Sequence, residues 1–158
     1  GLLGDSTLIA RSLGSVKWFL VAAPAYLKKR GRPRSPDDLK KHDCLLFGVG
    51  IENAGLRLEN AVQAAQIALS ARLMVSDMDV LHAVATAGQG IALLPSFRCL
   101  DELRAHRLER VLPDWNAPST PMHVMYPSTR HVSPKVKTFV DHLQERMTPP
   151  PWELGPAP

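Results

Sequence analysis

A chain of 158 residues, 45% hydrophobic and 22% charged, has the composition of a soluble globular protein, either one domain or two small lobes. Its net charge of +4 comes largely from Lys28, Lys29, Arg30, Arg32, Arg34, Lys40 and Lys41. Asp37 and Asp38 interrupt that cluster and no aromatic interleaves it, so it reads as a solvated face rather than a nucleic-acid surface.

The first legible element is the apolar run Val16 to Ala23, a strand that leads into Pro24 as the first residue of a helix ending near Gly31. Ser35, Pro36 and Asp38 then supply an N-cap, a proline at N1 and an acid at N3, for a short helix towards Lys41. Cys44 to Phe47 is a short apolar strand, and Cys44 within it is a core thiol. The two cysteines, Cys44 and Cys99, are too few for a disulfide framework and too far apart for a metal knuckle.

The segment from Glu59 to Leu69 is helical by composition, yet from Ile67 to Val75 apolar residues recur at period two. That alternation predicts a hairpin over Leu56 to Val75. Next, Ser76 and Asp79 have capping-box spacing, and Met78, Leu81 and Ala85, with Val80, Val84 and Ala87 beside them, make a helix apolar over most of its girth. Gly88 ends it, Gly90 allows a close turn, and Ile91 to Leu94 reads as a strand covered on both faces before Pro95 stops it. A helix feeding a buried strand through a glycine pair is the crossover of an α/β fold.

Ser96 begins a third helix carrying Leu100 and Leu103, and Met122 to Tyr126 is another short strand. Ser133 and Pro134 open a last helix with a stripe of Val136, Phe139, Val140, Leu143 and Met147. The tail Thr148 to Pro158 holds five prolines among eleven residues and is expected to be disordered, with Trp152 exposed. No apolar run approaches membrane-spanning length, and no basic segment precedes an apolar core near Gly1, so a cytoplasmic location and no membrane partner are expected.

Taken in order, these elements resemble the effector-binding domain of LysR-type transcriptional regulators, with wording closest to the CrgA-like branch. The resemblance is carried by Asp5 to Gly14, Val16 to Leu27, Pro33 to Leu39 with His42 to Leu45, and Gly88 to Ile91 with Leu94 and Pro95. Val111 to Trp115, Tyr126 with Pro127, Arg130 with His131, and Ser133 to Asp141 complete it. It implies a type 2 periplasmic-binding-protein-like α/β fold, two lobes joined by crossover segments, of which only the second lobe is complete. Residues 1–15 would be a remnant of the first lobe and first crossover, and residues 16–127 the second lobe. Residues 128–147 would be the second crossover and a helix returning to the first lobe, and residues 148–158 the tail. The stripe of the last helix would then lack part of its burial partner. A small effector, most simply an organic acid, would bind between lobes and alter the geometry of a homodimer or tetramer. DNA contact would belong to a helix-turn-helix domain outside these residues. The alternative on the same fold is the solute-binding protein of a transporter.

Ligands of open α/β sheets sit beyond the carboxyl ends of strands, where helix N-termini offer free N–H groups. The helix start at Ala23 and Pro24 carries no acid, which leaves its donors free, whereas Asp77 and Asp79 offset the start after Ser76. Phe47, Gly48 and Val49 resemble the family's ligand-contacting edge, and Met78 would line the same cleft. These six residues, Ala23, Pro24, Phe47, Gly48, Val49 and Met78, form the expected effector site, and Ser35, Ser76, Asp79 and Ser133 the expected caps. No catalytic group, metal or cofactor is expected. His42, His82, His106, His123, His131 and His142 form no His-x-x-x-His pair, and Gly-x-Ser-x-Gly and phosphate-loop motifs are absent. His82 reads as a packed or edge histidine, and His131 as a polar surface residue.

Overall fold

The computed structural model describes residues 8–48, 53–128 and 133–151. The chain divides into two units, one formed by Lys17–Ser119 and the other by the residues up to Val16 with those from Thr120 onward.

In the larger unit the strands are β1 (Leu8–Ala22, entering from the smaller unit), β2 (Cys44–Phe47), β3 (Asn53–Glu59), β4 (Ala64–Val75), β5 (Ile91–Pro95) and β6 (Glu109–Arg110). Their order across the sheet is β3-β4-β2-β5-β1-β6. The centre is parallel, β2 lying between β4 and β5, while β1 runs antiparallel to β5 with Val21 opposite Ala92. Helices α1 (Pro24–Arg30), α2 (Met78–Thr86) and α3 (Ser96–Arg104) and a 3-10 helix over Pro36–Lys41 cover the sheet. Alternation along the strands divides the core into two layers. Leu20, Leu39, Cys44, Leu58, Ile67 and Ile91 pack on one face, and Val21, Leu45, Leu81, Ala92, Leu94 and Cys99 on the other. The strand expected to be covered on both faces is therefore β5, and the expected hairpin is β3–β4, paired from Asn53 opposite Ser70 to Glu59 opposite Ala64.

The glycine pair has two separate tasks. Gly88, at φ +73, closes α2: its amide donates to the Ala85 carbonyl and that of Gln89 to the Val84 carbonyl, which is the Schellman pattern. Gly90 permits close approach, for a Cβ there would lie 2.3 Å from the Asp43 carbonyl oxygen. At that end of the sheet the Tyr26 hydroxyl accepts the Asp43 amide at 2.8 Å and lies 3.2 Å from His42 Nδ1. The Asp43 carboxylate lies between Arg72 (3.2 Å) and Arg30 (3.7 Å).

Three expected caps are corrected. The N-cap of α2 is Asp77, not Ser76: its Oδ1 accepts the amides of Asp79 (2.7 Å) and Val80 (3.2 Å). Asp79 is not a capping acid, because its carboxylate turns to Arg98 of α3 at 2.6 Å. A carboxylate beside two N–H groups at a positive helix end outcompetes a neighbouring hydroxyl. Ser133 occupies the N-cap position of α4 (Pro134–Arg146) but its side chain caps nothing. Ser35 stands where expected, with the Asp38 carboxylate accepting both its amide and its hydroxyl at 3.1 Å. Asp77→Ala is therefore expected to cost about 1 kcal/mol and Ser76→Ala less than about 0.5 kcal/mol, read from urea melts of the two variants. Equal losses would reverse the assignment. Only part of the apolar girth of α2 is covered: Leu81 and Ala85 are buried, whereas the equally apolar Val80 is 46% exposed.

In the smaller unit β7 (Ala117–Pro127, leaving the larger one) pairs with β1. Gln144 of α4 donates to the Ser12 carbonyl at 3.2 Å. Of the apolar stripe on α4, Val140 is buried, whereas Phe139 is 62% exposed. The tail is not wholly without order, for Pro150 is buried and packs against Gly14, where a Cβ would meet its ring at 2.7 Å. Trp152 lies outside the described residues.

Candidate ligand-binding site

Because β4, β2 and β5 run parallel, their carboxyl ends at Val75, Phe47 and Pro95 lie side by side. The antiparallel β1 brings Trp18 opposite Pro95 at the same end. The chain leaves β4 into α2 and β5 into α3, so both helix N-termini start here. A cavity of about 330 Å³ opens at this end, lined by Trp18, Leu46, Phe47, Gly55, Leu56, Arg57, Leu93, Ala117 and Pro118. Its walls are almost entirely apolar, and Arg57 is the charged residue among those lining it. The Arg57 guanidinium lies 3.5 Å from Glu59 on the same strand, both well exposed.

Of the expected site residues, Phe47 lines this cavity and is 54% exposed, an unusual exposure for a phenylalanine at the end of a core strand. Gly48 follows it at φ +156, its amide bonded to the Val75 carbonyl at 2.9 Å and the nearest contact of an added Cβ being Met74 Sδ at 3.6 Å. Its role is conformational, and close approach is not what selects glycine there. Val49 lies outside the described residues. Met78 sits at this end of the sheet but packs into the core below α2 rather than lining the cavity.

Ala23 and Pro24 do not join them. With Val21 opposite Ala92 and Leu45 beside Ala92, β1 continues towards the Gly90 end, opposite to Phe47. Ala23 is buried there, against Gly88, and its carbonyl accepts the amides of Tyr26 and Leu27. The expectation that all six residues converge on one crevice fails because β1 runs antiparallel to its neighbour. Sequence reasoning missed Trp18, Leu46, Leu56, Arg57, Leu93, Ala117 and Pro118. Arg57, a lone cation between two leucines of a strand, was the one local signal.

The surrounding chemistry is quiet. Burial pushes the Cys44 thiol up to about 11 and the Cys99 thiol up to about 12, so both stay protonated at neutral pH. His82 faces Glu102 at 3.7 Å, an edge histidine beside an acid. Among the described residues no group of three metal-ligating side chains gathers, and no helix is long and apolar enough to cross a membrane. Much of the basic cluster is internally paired: Arg30 with Asp43, Arg32 with Glu109, Lys40 with Asp37 and Lys41 with Asp38. Lys41, then the Arg34 amide and the Ser35 hydroxyl, hold the Asp38 carboxyl down at about 2.

The LysR substrate binding domain model matches residues 1–148. This chain belongs to that family. Its α/β fold is the periplasmic-binding-protein-like fold of LysR regulatory domains. A helix-turn-helix-type transcriptional repressor of Pseudomonas aeruginosa (strain UCBPP-PA14) is 33% identical over 147 residues, 92% of this chain and 46% of that protein. The helix-turn-helix-type transcriptional activator AaeR of Escherichia coli (strain K12) is 28% identical over 145 residues, 92% of this chain and 47% of AaeR. The chain thus spans about half the length of the curated LysR relatives it matches. Among solved structures, the regulatory domain of AphB from Vibrio vulnificus superposes with a TM-score of 0.76 at 30% identity, covering 89% of this chain and 70% of that one. The regulatory domain of CrgA from Neisseria meningitidis gives a TM-score of 0.77 at 27% identity, with 93% and 72% covered.

Proposed function

We propose that this chain is the effector-sensing part of a LysR-type transcriptional regulator and that the cavity beside Phe47 contacts the effector. The observation that carries the reading is a half-exposed phenylalanine facing an apolar cavity with one guanidinium, at the carboxyl ends of parallel strands in a regulator-family domain. Apolar walls with a single cation suit a small organic anion, whose hydrocarbon part meets Trp18 and Phe47 and whose charge meets Arg57. Membership of a transcriptional-regulator family supports a binding role for this cavity. In the whole regulator, effector binding shifts the equilibrium between arrangements of a dimer or tetramer, and with it the geometry of DNA held by a helix-turn-helix domain. A regulator of this kind works in the cytoplasm.

A panel of small organic acids screened against the complete regulator by thermal shift supplies the ligand for the test. Phe47→Ala is expected to weaken its binding about tenfold or more with the melting temperature of the free protein unchanged, and Gly48→Val to weaken it as well. Wild-type affinity in both variants would refute the assignment.

A further inference from the structure

The larger unit holds a second cavity, of about 320 Å³, between the end of α3 and β6, lined by Leu103, His106, Leu108, Glu109, Arg110 and Pro113. It is separate from the cavity at Phe47: Arg110 pairs with Val21, towards the end of β1 away from Trp18. We propose that it is a binding site for a small carboxylate with an apolar body, anchored by Arg110.

The Arg110 guanidinium is fixed in place, with its central carbon 4.3 Å from the centre of the Phe19 ring and Nη2 donating to the Pro113 carbonyl at 2.9 Å. Its Nε is buried and has no hydrogen-bond partner among the described residues. No carboxylate of the described residues lies within ion-pair distance, and Asp114 acts on it only from farther away. A guanidinium that lines a cavity, is held against an aromatic ring and faces no carboxylate keeps its charge for an anion entering that cavity. The acid that lines the cavity, Glu109, does not neutralise Arg110, because Arg32 already engages its carboxylate. His106, held in the left-handed region at φ +54, is exposed at the cavity and adds a polar group there. Leu103, Leu108 and Pro113 complete an apolar surface.

A guanidinium accepts carboxylate or phosphate alike. The apolar surface and the nearby Glu109 favour a singly charged ligand with a hydrocarbon body over a doubly charged phosphate. The volume lies at the small end of the range for such pockets.

The test titrates sodium benzoate, and separately the neutral benzyl alcohol, into the chain labelled at leucine methyl groups. Saturable shifts at Leu103 and Leu108 with benzoate, and much weaker ones with the alcohol, are expected. Arg110→Met should weaken the benzoate response at these methyls about tenfold or more, while Phe47→Ala leaves it unchanged. No saturable shift at Leu103 and Leu108, an equal response to the alcohol, or undiminished binding in Arg110→Met would each overturn the site. If Arg110→Met fails to fold, the comparison of acid with alcohol on the unaltered chain decides the question alone.

Discussion

Gly90→Ala is expected to destabilise the chain by about 3 kcal/mol or more, enough to unfold a marginally stable domain. The added Cβ would lie 2.3 Å from the Asp43 carbonyl oxygen and 2.9 Å from Leu45 Cγ. That carbonyl cannot simply withdraw. It accepts the Ile91 amide at 2.8 Å, the Asp43 amide is held by the Tyr26 hydroxyl, and the Asp43 carboxylate by Arg72 and Arg30. Relief would require moving β2 away from β5 in the middle of the sheet. Gly31→Ala provides the control: Gly31 has φ +84 but nothing within 4 Å of an added Cβ. With ψ 171 that backbone is essentially restricted to glycine, so the variant should show only backbone strain, of about 1–3 kcal/mol. Urea midpoints of the two variants measure the difference, and equal midpoints would show that the sheet yields at Gly90.

Leu81→Ala should be the most damaging truncation in α2, costing about 2–5 kcal/mol. Leu81 is fully buried and belongs to the core layer that includes Leu45, Leu94 and Cys99. The cavity left behind would lie under the helix whose first residue, Met78, stands at the Phe47 end of the sheet. Val80, one residue earlier and 46% exposed, should tolerate alanine within about 0.5 kcal/mol. Thermal and urea melts of both variants test the pair. A small loss at Leu81 would mean that α2 is not fastened to the sheet through this layer.

What could be read from the sequence was what local chemistry controls. Gly88 and Gly90 announced both a helix end and a close approach, because each task excludes most other residues. The alternation from Ile67 to Val75 outweighed the helical composition before it, since tertiary burial overrides propensity in a strand. Asp77 was harder to see: Ser76 fitted the same motif one residue earlier, and only the observed start at Met78 separates them. The candidate site was legible, among the residues lining it, at Phe47 alone. Its remaining walls come from β1, β3, β5 and β7, brought together by strand order and direction. The same global property misplaced Ala23 and Pro24, because no local pattern states which way β1 runs beside β5.

The contact of Tyr26 with Asp43 and His42 has a further consequence. A phenol can accept and donate at once: here its oxygen accepts the Asp43 amide and lies 3.2 Å from His42 Nδ1. Burial favours the uncharged form of both rings, raising the Tyr26 hydroxyl and lowering His42 from their ordinary values. The depressed imidazole contributes stability above its ordinary value of 6.5, and that contribution fades as acidification charges it. Around neutrality the Tyr26–His42 contact is therefore one between two rings that burial keeps uncharged, beside an Asp43 carboxylate paired with Arg72 and Arg30.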